Sequence, residues 1–311
     1  MKLKMKKISF IITALNEEGN IKELYRQIEE VTSIYKNYIF EYIFIDNGST
    51  DSTYSICKEL QASDKRIRIL KLSRNFGFDG GITAGIDYSN ADAVVIMTAN
   101  LQDDPKVVTE FIKNWEEGYD MVYGIVNSRP GKSKTRRLNS ILFYKIINIL
   151  TKGLIPKDVS DYRLVDKKVL KAVKSMNEYN RFYRGFFAWV GFKSIGVNFD
   201  RQERFAGESK ALTFKVISAA FKAIFSFTSI PLKISNYLAF VFSILAIIIL
   251  SVQTYNWIKF GVPFDGYGSI VGILLLIASL LFLILGVIGE YLGLIFDETK
   301  NRPVYIIEEE T

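Results

Sequence analysis

The sequence contains no histidine and only one cysteine, Cys57. A disulfide within these residues is therefore excluded, and so is a zinc site built from cysteine and histidine. Any acid–base or metal chemistry must use carboxylate, amide, hydroxyl, lysine or arginine side chains. The apolar run near the start, Ile8–Ile12, is too short for the core of a signal peptide, so we predict no export signal.

Acidic residues are outnumbered by basic ones, 33 against 40, which gives a formal net charge of +7. A positive surplus suits three kinds of partner: nucleic acid, an anionic membrane surface, or a phosphate-bearing ligand. The 311 residues, of which 49% are hydrophobic, suffice for one medium-sized soluble domain and a further segment.

Short apolar runs that end in turn-forming residues alternate with helical patterns through the first 126 residues. This alternation predicts an α/β domain with a parallel sheet covered by helices. The predicted strands are Ile8–Thr13, Tyr42–Ile45, Ile67–Leu72, Ala93–Met97, Asp120–Ile125 and Phe192–Phe199. Residues Asp161–Leu164 are predicted to be a polar segment that leads into a helix over Lys167–Met176.

The run Ala93–Met97 is predicted to be a buried central strand, and polar residues follow it at once. Ligands of open α/β sheets bind where strands end at their carboxyl edge. The polar residues delivered to that edge are Thr98, Asn100, Gln102, Asp103 and Asp104. A plain polar loop after a core strand is an equally open interpretation of this segment alone.

The second half of the chain is predicted to contact a membrane. Residues 214–227 are apolar and aromatic with two lysines, which is typical of a helix lying in the membrane interface. Two charge-free spans follow, at about 234–258 and 266–289, and each exceeds the roughly 20 residues that cross a bilayer as a helix. The short connector between them predicts a transmembrane hairpin, with the Lys/Arg-rich flanks in the cytoplasm. A pair of buried core helices is the alternative.

These patterns predict four segments along the chain. They are a cytoplasmic α/β domain over 1–212, an interfacial amphipathic helix over 213–230, a transmembrane hairpin over 231–295, and a cytoplasmic tail over 296–311.

Eight motifs, in this order and spacing, carry a family resemblance over nearly the whole chain. They are ALNEEGNI (14–21), IDNGSTDST (45–53), LSRNFG (72–77), TANLQDDP (98–105), SDYRL (160–164), RFYRGFFAWVGF (181–192), RFAGESK (204–210) and GEYLGLIFDETKNRPVYIIEE (289–309). The chain resembles the polyprenyl-phosphate glycosyltransferases of glycosyltransferase family 2, and in particular the bacterial bactoprenol glucosyltransferases and dolichol-phosphate mannose synthase.

The resemblance implies a GT-A (Rossmann-like) catalytic domain followed by interfacial helices and a two-helix transmembrane hairpin. It implies inverting transfer of one sugar from a nucleotide-sugar, expected to be UDP-linked, to undecaprenyl phosphate at the cytoplasmic face of the bacterial inner membrane. The implied partners are the nucleotide-sugar, the polyprenyl phosphate and the membrane, without nucleic acid. A homo-oligomer is left open.

The resemblance also implies which residues bind the donor. They are Thr13, Leu15, Asn16, Glu17, Asp46, Thr98, Ala99, Arg204, Ser209 and Lys210. In the family's Asp-Asp-Gly-Ser motif the first acid reads the base, which corresponds to Asp46 here, and Asn47 replaces the second acid. A carboxylate can accept hydrogen bonds from a pyrimidine N–H or from ribose hydroxyls. For Asp51 we favour helix capping instead.

On the acceptor side, the resemblance implies Arg129, Arg136 and Ser140 as contacts of the lipid phosphate. Their alternative role, shared by the other basic residues of that loop, is attraction to anionic lipid headgroups. Asp161 and Arg163 match the family's acceptor-side acid and arginine, and Asp161 is the candidate base. The nucleophile is already an ionised phosphate oxygen, so Asp161 could instead orient Arg163, a metal or the acceptor.

The family's acidic pair, which holds a divalent cation against the donor diphosphate, is Thr98 and Asn100 in this chain. Amide oxygens still suit Mg²⁺ or Mn²⁺. We therefore predict that Asn100 and Gln102, with Asp103 as a possible third ligand, bind a cation weakly in the absence of donor. Because both charges of the pair are gone, a catalytically inactive homologue that binds nucleotide or lipid and scaffolds membrane partners is the alternative function.

Overall fold

A computed structural model describes residues 5–127, 159–202, 230–261 and 266–311 of the chain. The chain divides into two compact units. The first comprises residues 1–216 together with 302–311, and the second comprises residues 217–301. Residues 302–311, predicted to be part of a separate tail, thus belong to the first unit.

One eight-stranded sheet organises the first unit, with the spatial order β7-β5-β6-β4-β1-β2-β3-β8. The strands are β1 Lys6–Ala14, β2 Tyr38–Asp46, β3 Ile67–Leu72, β4 Ala93–Thr98, β5 Met121–Val126, β6 Val159–Asp166, β7 Ser194–Phe199 and β8 Ile307–Glu310. The six strands predicted from apolar runs are confirmed. The sheet contains two further strands, β6 and β8.

The described helices of the first unit lie between these strands. They are α1 Ile21–Thr32, α2 Thr53–Ser63, α3 Gly77–Tyr88, α4 Val107–Glu116, α5 Lys167–Lys174 and α6 Tyr183–Trp189. A core of aliphatic and aromatic side chains from α1, α2 and α4 packs on one face of the sheet. On the other face α3 approaches closely, because a Cβ atom at Gly85 would lie 2.3 Å from the Ile11 side chain. Only glycine is compatible with that approach.

The prediction of an all-parallel sheet was wrong for two strands. The strands β1, β2, β3 and β4 pair in parallel, but β6 runs antiparallel to both β4 and β5, and β8 runs antiparallel to β3. The segment predicted to be a polar patch, Asp161–Leu164, is part of β6. Asp161 pairs with Arg184, whereas Ser160 and Arg163 bond backbone groups. These polar residues interrupt the apolar run that marks the other strands.

Two long helices form the described part of the second unit. These are α7, Ile230–Phe260, and α8, Tyr267–Thr299, and they cover the two charge-free spans of the sequence. Among the described residues, one helical stretch is long and apolar enough to cross a membrane, Leu276–Thr299. The sequence predicted two.

Candidate functional site

Three parallel strands end side by side in the middle of the sheet. Ala14 pairs with Asp46 across β1 and β2, and Thr13 pairs with Thr98 across β1 and β4. The chain order reverses at this point, because β2 lies on one side of β1 and β4 on the other. Such a switch point opens a crevice at the carboxyl ends of the strands, where α/β proteins bind their ligands.

The loop after β1 is bonded to the loop after β2. Asn16 adopts a left-handed backbone conformation (φ 52°), its N–H donates to Ser49 Oγ at 2.9 Å, and its Oδ1 accepts from the Thr50 N–H at 2.7 Å. The Glu17 N–H donates to Thr53 Oγ1 at 2.8 Å. Hydrogen bonds between backbone N–H groups and side-chain oxygens therefore hold the predicted donor-binding residues Asn16 and Glu17 at the crevice, although neither residue is buried.

Asp46 has an unsatisfied oxygen. The residue is 1% exposed, and its Oδ1 accepts from the Ser49 N–H at 3.0 Å. Its Oδ2 is buried and has no hydrogen-bond partner within the described ranges. A buried carboxylate oxygen without a donor is unfavourable by on the order of 1–3 kcal/mol, so this atom is suited to accept from a ligand N–H or O–H.

Asn47, by contrast, is fully bonded inside the protein. Its Nδ2 donates to the Gly77 carbonyl at 2.7 Å and its Oδ1 accepts from the Phe76 N–H at 2.9 Å. The side chain thereby joins the end of β2 to the start of α3. A carboxylate could not make both bonds, because it has no N–H to donate. The departure from the family's second acid thus has a structural reason.

Asp51 behaves as the sequence predicted. Its Oδ1 accepts from the backbone N–H of Thr53, in the first turn of α2, at 3.0 Å, and from the Thr53 hydroxyl at 2.6 Å. Asp51 stands one residue before the N-cap of α2, Ser52, and these bonds satisfy donors of the first helical residue.

The residues after β4 form a chain of neutral hydrogen bonds. The Thr98 hydroxyl donates to Asn100 Oδ1 at 2.9 Å, and Asn100 Nδ2 donates to Gln102 Oε1 at 3.1 Å. Asn100 Oδ1 also accepts from the Gln102 N–H at 3.1 Å. Thr13 and Ala99, both buried, are neighbours of this segment, and the Ala99 N–H donates to the Thr13 carbonyl at 2.9 Å.

Asp103 is 2% exposed and forms a two-pronged ion pair with Arg201, from Nε at 3.0 Å and from Nη2 at 3.3 Å. Burial raises the pKa of this carboxyl, and the Arg201 charge opposes the rise. Its oxygens are engaged by the guanidinium, so its predicted role as a metal ligand stays a prediction.

The donor set at this loop fits a divalent cation only when a ligand brings negative charge. No group of three or more acidic, histidine or cysteine residues able to hold a metal occurs in the described part of the chain. The oxygens of Asn100 and Gln102 are hard donors of the kind Mg²⁺ and Mn²⁺ prefer, but they carry no formal charge. A bound diphosphate would supply that charge, whereas the protein alone would not.

Asp161 lies at the same edge, because β6 runs antiparallel to β4 with Arg163 beside Ile96. The Asp161 carboxylate is held by Arg184, whose Nε donates to Oδ1 at 2.7 Å and whose Nη2 contacts Oδ2. Burial raises the pKa of Asp161, but the Arg184 charge and hydrogen bonds outweigh burial and lower it. Asp161 is therefore an anion near neutral pH and a weak base.

Arg163 does not reach this carboxylate with a hydrogen bond. Its Nε donates to the backbone oxygen of Asp161 at 3.2 Å and its Nη2 donates to the backbone oxygen of Ser160 at 2.8 Å. The guanidinium lies over the Phe187 ring, 4.7 Å from the centroid. The side chain that the Asp161 carboxylate holds is therefore Arg184 and not Arg163, which was one of the groups that the sequence predicted it could orient.

A second carboxyl stands close to Asp161. Asp79, in the first turn of α3, accepts from the Tyr183 N–H at 3.4 Å. Burial and the negative charge of Asp161 raise the pKa of Asp79 to about 7. The crevice therefore carries one carboxyl that is ionised near neutral pH and one that is partly protonated.

Three charged residues of this site were not assigned roles from the sequence: Asp79, Arg184 and Arg201. Arg184 lies inside the motif RFYRGFFAWVGF and Arg201 shortly before RFAGESK. The motifs therefore indicated these two regions, but they did not indicate which carboxylates the two arginines would pair with. Six predicted residues lie outside the described ranges, and their roles stay predictions: Arg129, Arg136, Ser140, Arg204, Ser209 and Lys210.

Comparison with known proteins gives consistent similarities. Residues 9–174 match the model of glycosyl transferase family 2. An uncharacterized glycosyltransferase of Synechocystis sp. is 38% identical over 97% of this chain and 95% of that protein. A prophage bactoprenol glucosyl transferase homolog of Escherichia coli is 35% identical over 97% of this chain and 98% of that protein.

A similarity among solved structures concerns the fold alone. The crystal structure of mannosyl-3-phosphoglycerate synthase from Rubrobacter xylanophilus superposes with a TM-score of 0.50 at 13% sequence identity, covering 70% of this chain and 72% of that one.

Proposed function

The chain belongs to glycosyl transferase family 2 and is a glycosyltransferase, and from that premise we propose which reaction it catalyses. One sugar passes from a UDP-linked donor to undecaprenyl phosphate, with inversion at the anomeric carbon. The support for the lipid acceptor is the similarity to proteins named bactoprenol glucosyl transferase, which extends over nearly the full length of this chain.

The observation that carries the proposal is the unsatisfied Oδ2 of Asp46 at the switch point of the sheet. A pyrimidine ring offers an N–H donor, and ribose offers hydroxyl donors, to such an oxygen. The loop that holds Asn16 and Glu17 stands beside it, which gives a nucleotide two neighbouring contact segments. The nucleotide's diphosphate then extends toward Thr98, Asn100 and Gln102.

In the transfer step, an oxygen of the lipid phosphate forms a bond to the anomeric carbon while the bond from that carbon to the donor diphosphate breaks. The attacking phosphate is ionised, so no strong base is required. Asp161, kept anionic by Arg184, orients groups on the acceptor side. By the family resemblance, Arg204 and Lys210 are the residues we expect to supply positive charge to the leaving diphosphate, which would stabilise the transition state.

A divalent cation, when bound with the donor, neutralises part of the charge of the diphosphate. The residues that would hold it are Asn100 and Gln102. Asp103 would join them only after release from Arg201.

The acceptor requires a membrane location, and we place the enzyme in the bacterial inner membrane with α7 and α8 as a two-helix hairpin. Large apolar side chains project outward from both helices, including Ile247 (63% exposed) and Phe282 (70% exposed). Exposed apolar surface of this extent marks a membrane or protein contact. The chain enters the second unit from the first and returns to the first at residue 302. A hairpin is consistent with this return to the first unit, and we propose that the catalytic unit is cytoplasmic.

Reporter fusions test this topology. Reporters fused after residue 311 and inserted near Pro263 should lie on opposite sides of the membrane, with residue 311 cytoplasmic. A periplasmic signal at residue 311 would contradict the hairpin.

Radiolabelled UDP-sugars supplied to membranes with undecaprenyl phosphate test the reaction, with lipid extraction as the readout. Label in the lipid phase is expected for at least one sugar of a donor panel. Asp46→Asn should raise the KM for the donor by roughly tenfold to a hundredfold, since a charge-assisted hydrogen bond is lost. The matched control, Glu59→Gln, changes an exposed carboxylate that pairs with Lys22 and should leave the KM unchanged.

The inactive-homologue alternative rests on the neutral pair Thr98 and Asn100. Donor binding that depends on Asp46, without label in lipid for any donor or metal, would favour it over the enzyme.

A further inference from the structure

Arg163 is a buried cation that forms no ion pair with the described residues. The residue is 2% exposed, and within the described ranges its hydrogen bonds go to the backbone oxygens of Asp161 and Ser160. The carboxylate of Asp161 is bonded to Arg184 instead. Backbone dipoles and the Phe187 ring compensate a guanidinium charge only in part.

The environment of Arg163 disfavours its charge. Burial lowers the pKa of Arg163 to about 10, and the neighbouring Arg184 charge also lowers it, while Asp161 opposes both. Removing one partner of a buried ion pair is strongly destabilising in proteins because it leaves such an uncompensated charge. An anion bound beside Arg163 would compensate this charge, and the structure leaves room for one.

That room is a cavity of about 150 Å³ between the sheet and α6. Its polar lining consists of two guanidinium groups, Arg163 and Arg184, and two hydroxyl-bearing residues, Tyr123 and Ser194, with no acidic residue among them. The remaining lining is mainly aromatic and aliphatic, from Phe187, Phe192 and their neighbours. The cavity is thus positively charged, rich in hydrogen-bond donors and flanked by aromatic side chains.

The cavity extends from the carboxyl end of β5, where Val159 of β6 pairs with Ile125, toward the amino ends of β5 and β7. Met121 and Ser194, which line it, pair with one another at the amino ends of β5 and β7. The donor crevice lies at the opposite edge, at the carboxyl ends of β1, β2 and β4. Arg184 connects the two sites, because it lines the cavity and also holds Asp161.

We propose that this cavity, lined by Arg163, Arg184, Tyr123 and Ser194, is a second anion-binding site that takes a phosphate group. The planar fork of a guanidinium matches two oxygens of a phosphate, and two guanidiniums can hold a doubly charged anion. The phosphate is either free inorganic phosphate or the headgroup of a phosphorylated lipid, since both present the same oxygens.

Occupancy of the cavity has a consequence for the reaction site. An anion that bonds Arg184 competes with Asp161 for the same guanidinium. Asp161 would then lose part of the interaction that keeps it ionised, so the cavity offers a route by which phosphate changes the charge at the acceptor side.

Thermal unfolding of the full chain in detergent tests the site, with potassium phosphate titrated against potassium chloride at equal ionic strength. A second titration uses a short-chain isoprenyl phosphate. At least one of the two phosphates should raise the melting temperature of the wild type in a saturable manner. Arg163→Gln should weaken the apparent affinity for it at least tenfold, and Tyr123→Phe about threefold.

Arg26→Gln is the matched control, because Arg26 is an exposed arginine of α1 that pairs with Glu23 and Glu30. It should bind phosphate as the wild type does. If Arg163→Gln does not fold, Tyr123→Phe carries the comparison, since it removes one hydroxyl and no charge. Absence of saturable binding for both phosphates, or equal binding by the cavity variants and Arg26→Gln, would overturn the site. The readout is binding, so it stands whether or not the chain transfers sugar.

Discussion

Restoring the family's second acid in this chain should damage it. In Asn47→Asp, one carboxylate oxygen can still accept from the Phe76 N–H, but the other faces the Gly77 carbonyl oxygen, which lies 2.7 Å from the present Nδ2. Two acceptors then oppose each other at a position that is 5% exposed. The start of α3 loses its connection to the end of β2.

The expected magnitude follows from these contacts. One hydrogen bond worth about 1 kcal/mol is lost, and a carbonyl left without its donor adds about 1–3 kcal/mol. The sum is about 2–4 kcal/mol, which for a unit of this size lowers the melting temperature by roughly 4–16 °C. The measurement is thermal unfolding of the purified chain in detergent at pH 8.

The pH dependence of this variant identifies the cause. The opposing carbonyl raises the folded-state pKa of the new carboxyl above its unfolded value, so the folded state binds more protons between the two pKa values. The destabilisation should therefore be greatest above the folded-state pKa and should shrink as the pH falls toward 4.

Asn75→Asp is the matched control for the same chemical change. Asn75 is exposed, and its Oδ1 accepts from the Gly77 N–H at 2.8 Å, a bond that a carboxylate retains. Its free energy of unfolding should stay within about 0.5 kcal/mol of the wild-type value. Equal effects of the two substitutions, or an Asn47→Asp effect that does not change with pH, would refute the hydrogen-bond argument.

Three further predictions concern the charged groups of the crevice. Arg184→Gln should lower the transfer rate by roughly tenfold to a hundredfold and move the acidic limb of the pH–rate profile upward, because Asp161 loses the partner that lowers its pKa; an unchanged profile would contradict the pairing. Asp79→Asn should stabilise the fold at pH 7.5 but not at pH 4, because folding raises the pKa of Asp79 from 3.8 to about 7 and the wild type therefore loses stability as the pH rises across that range. The gain in unfolding free energy is at most about 4 kcal/mol, at about 1.4 kcal/mol per pKa unit, and melting temperatures at the two pH values measure it. EDTA should abolish transfer, and Asn100→Asp should lower the metal concentration that restores it, since a charged oxygen replaces a neutral one; full transfer in EDTA would exclude the cation.

The strands β1, β2 and β4 were predictable from sequence because each is buried on both faces over most of its length and therefore reads as a nearly uninterrupted apolar run. Ile67–Leu72 was predicted with the bounds that the structure has. The strand β6 was not predictable in this way, since Ser160, Asp161 and Arg163 interrupt its pattern. Their polar atoms are satisfied by contacts with Arg184 and with the backbone, which no local pattern contains.

The part of the site that lies directly after the strands was predictable from the sequence. Asp46 and the Thr98–Asp103 segment lie where the sequence placed them, because parallel strands end at one edge. The ion pairs Asp103–Arg201 and Asp161–Arg184 were not predictable, since they join residues that are 98 and 23 positions apart. Pairings over such separations depend on the packing of α6 and the loop after β7 against the sheet.

The position of β8 in the chain has a consequence for how the protein is made. β8 completes the edge of the sheet beside β3 and is followed by Thr311, whose N–H and carbonyl both bond Ile69. It is synthesised after α7 and α8, whereas the strands it joins are synthesised well before them. During translation the β3 edge therefore stays open until the ribosome has passed the long apolar helices, and an open edge can pair with other chains. Closing that edge is a late event in biogenesis, so a ribosome that stalls within the helices leaves a nascent chain with an aggregation-prone sheet.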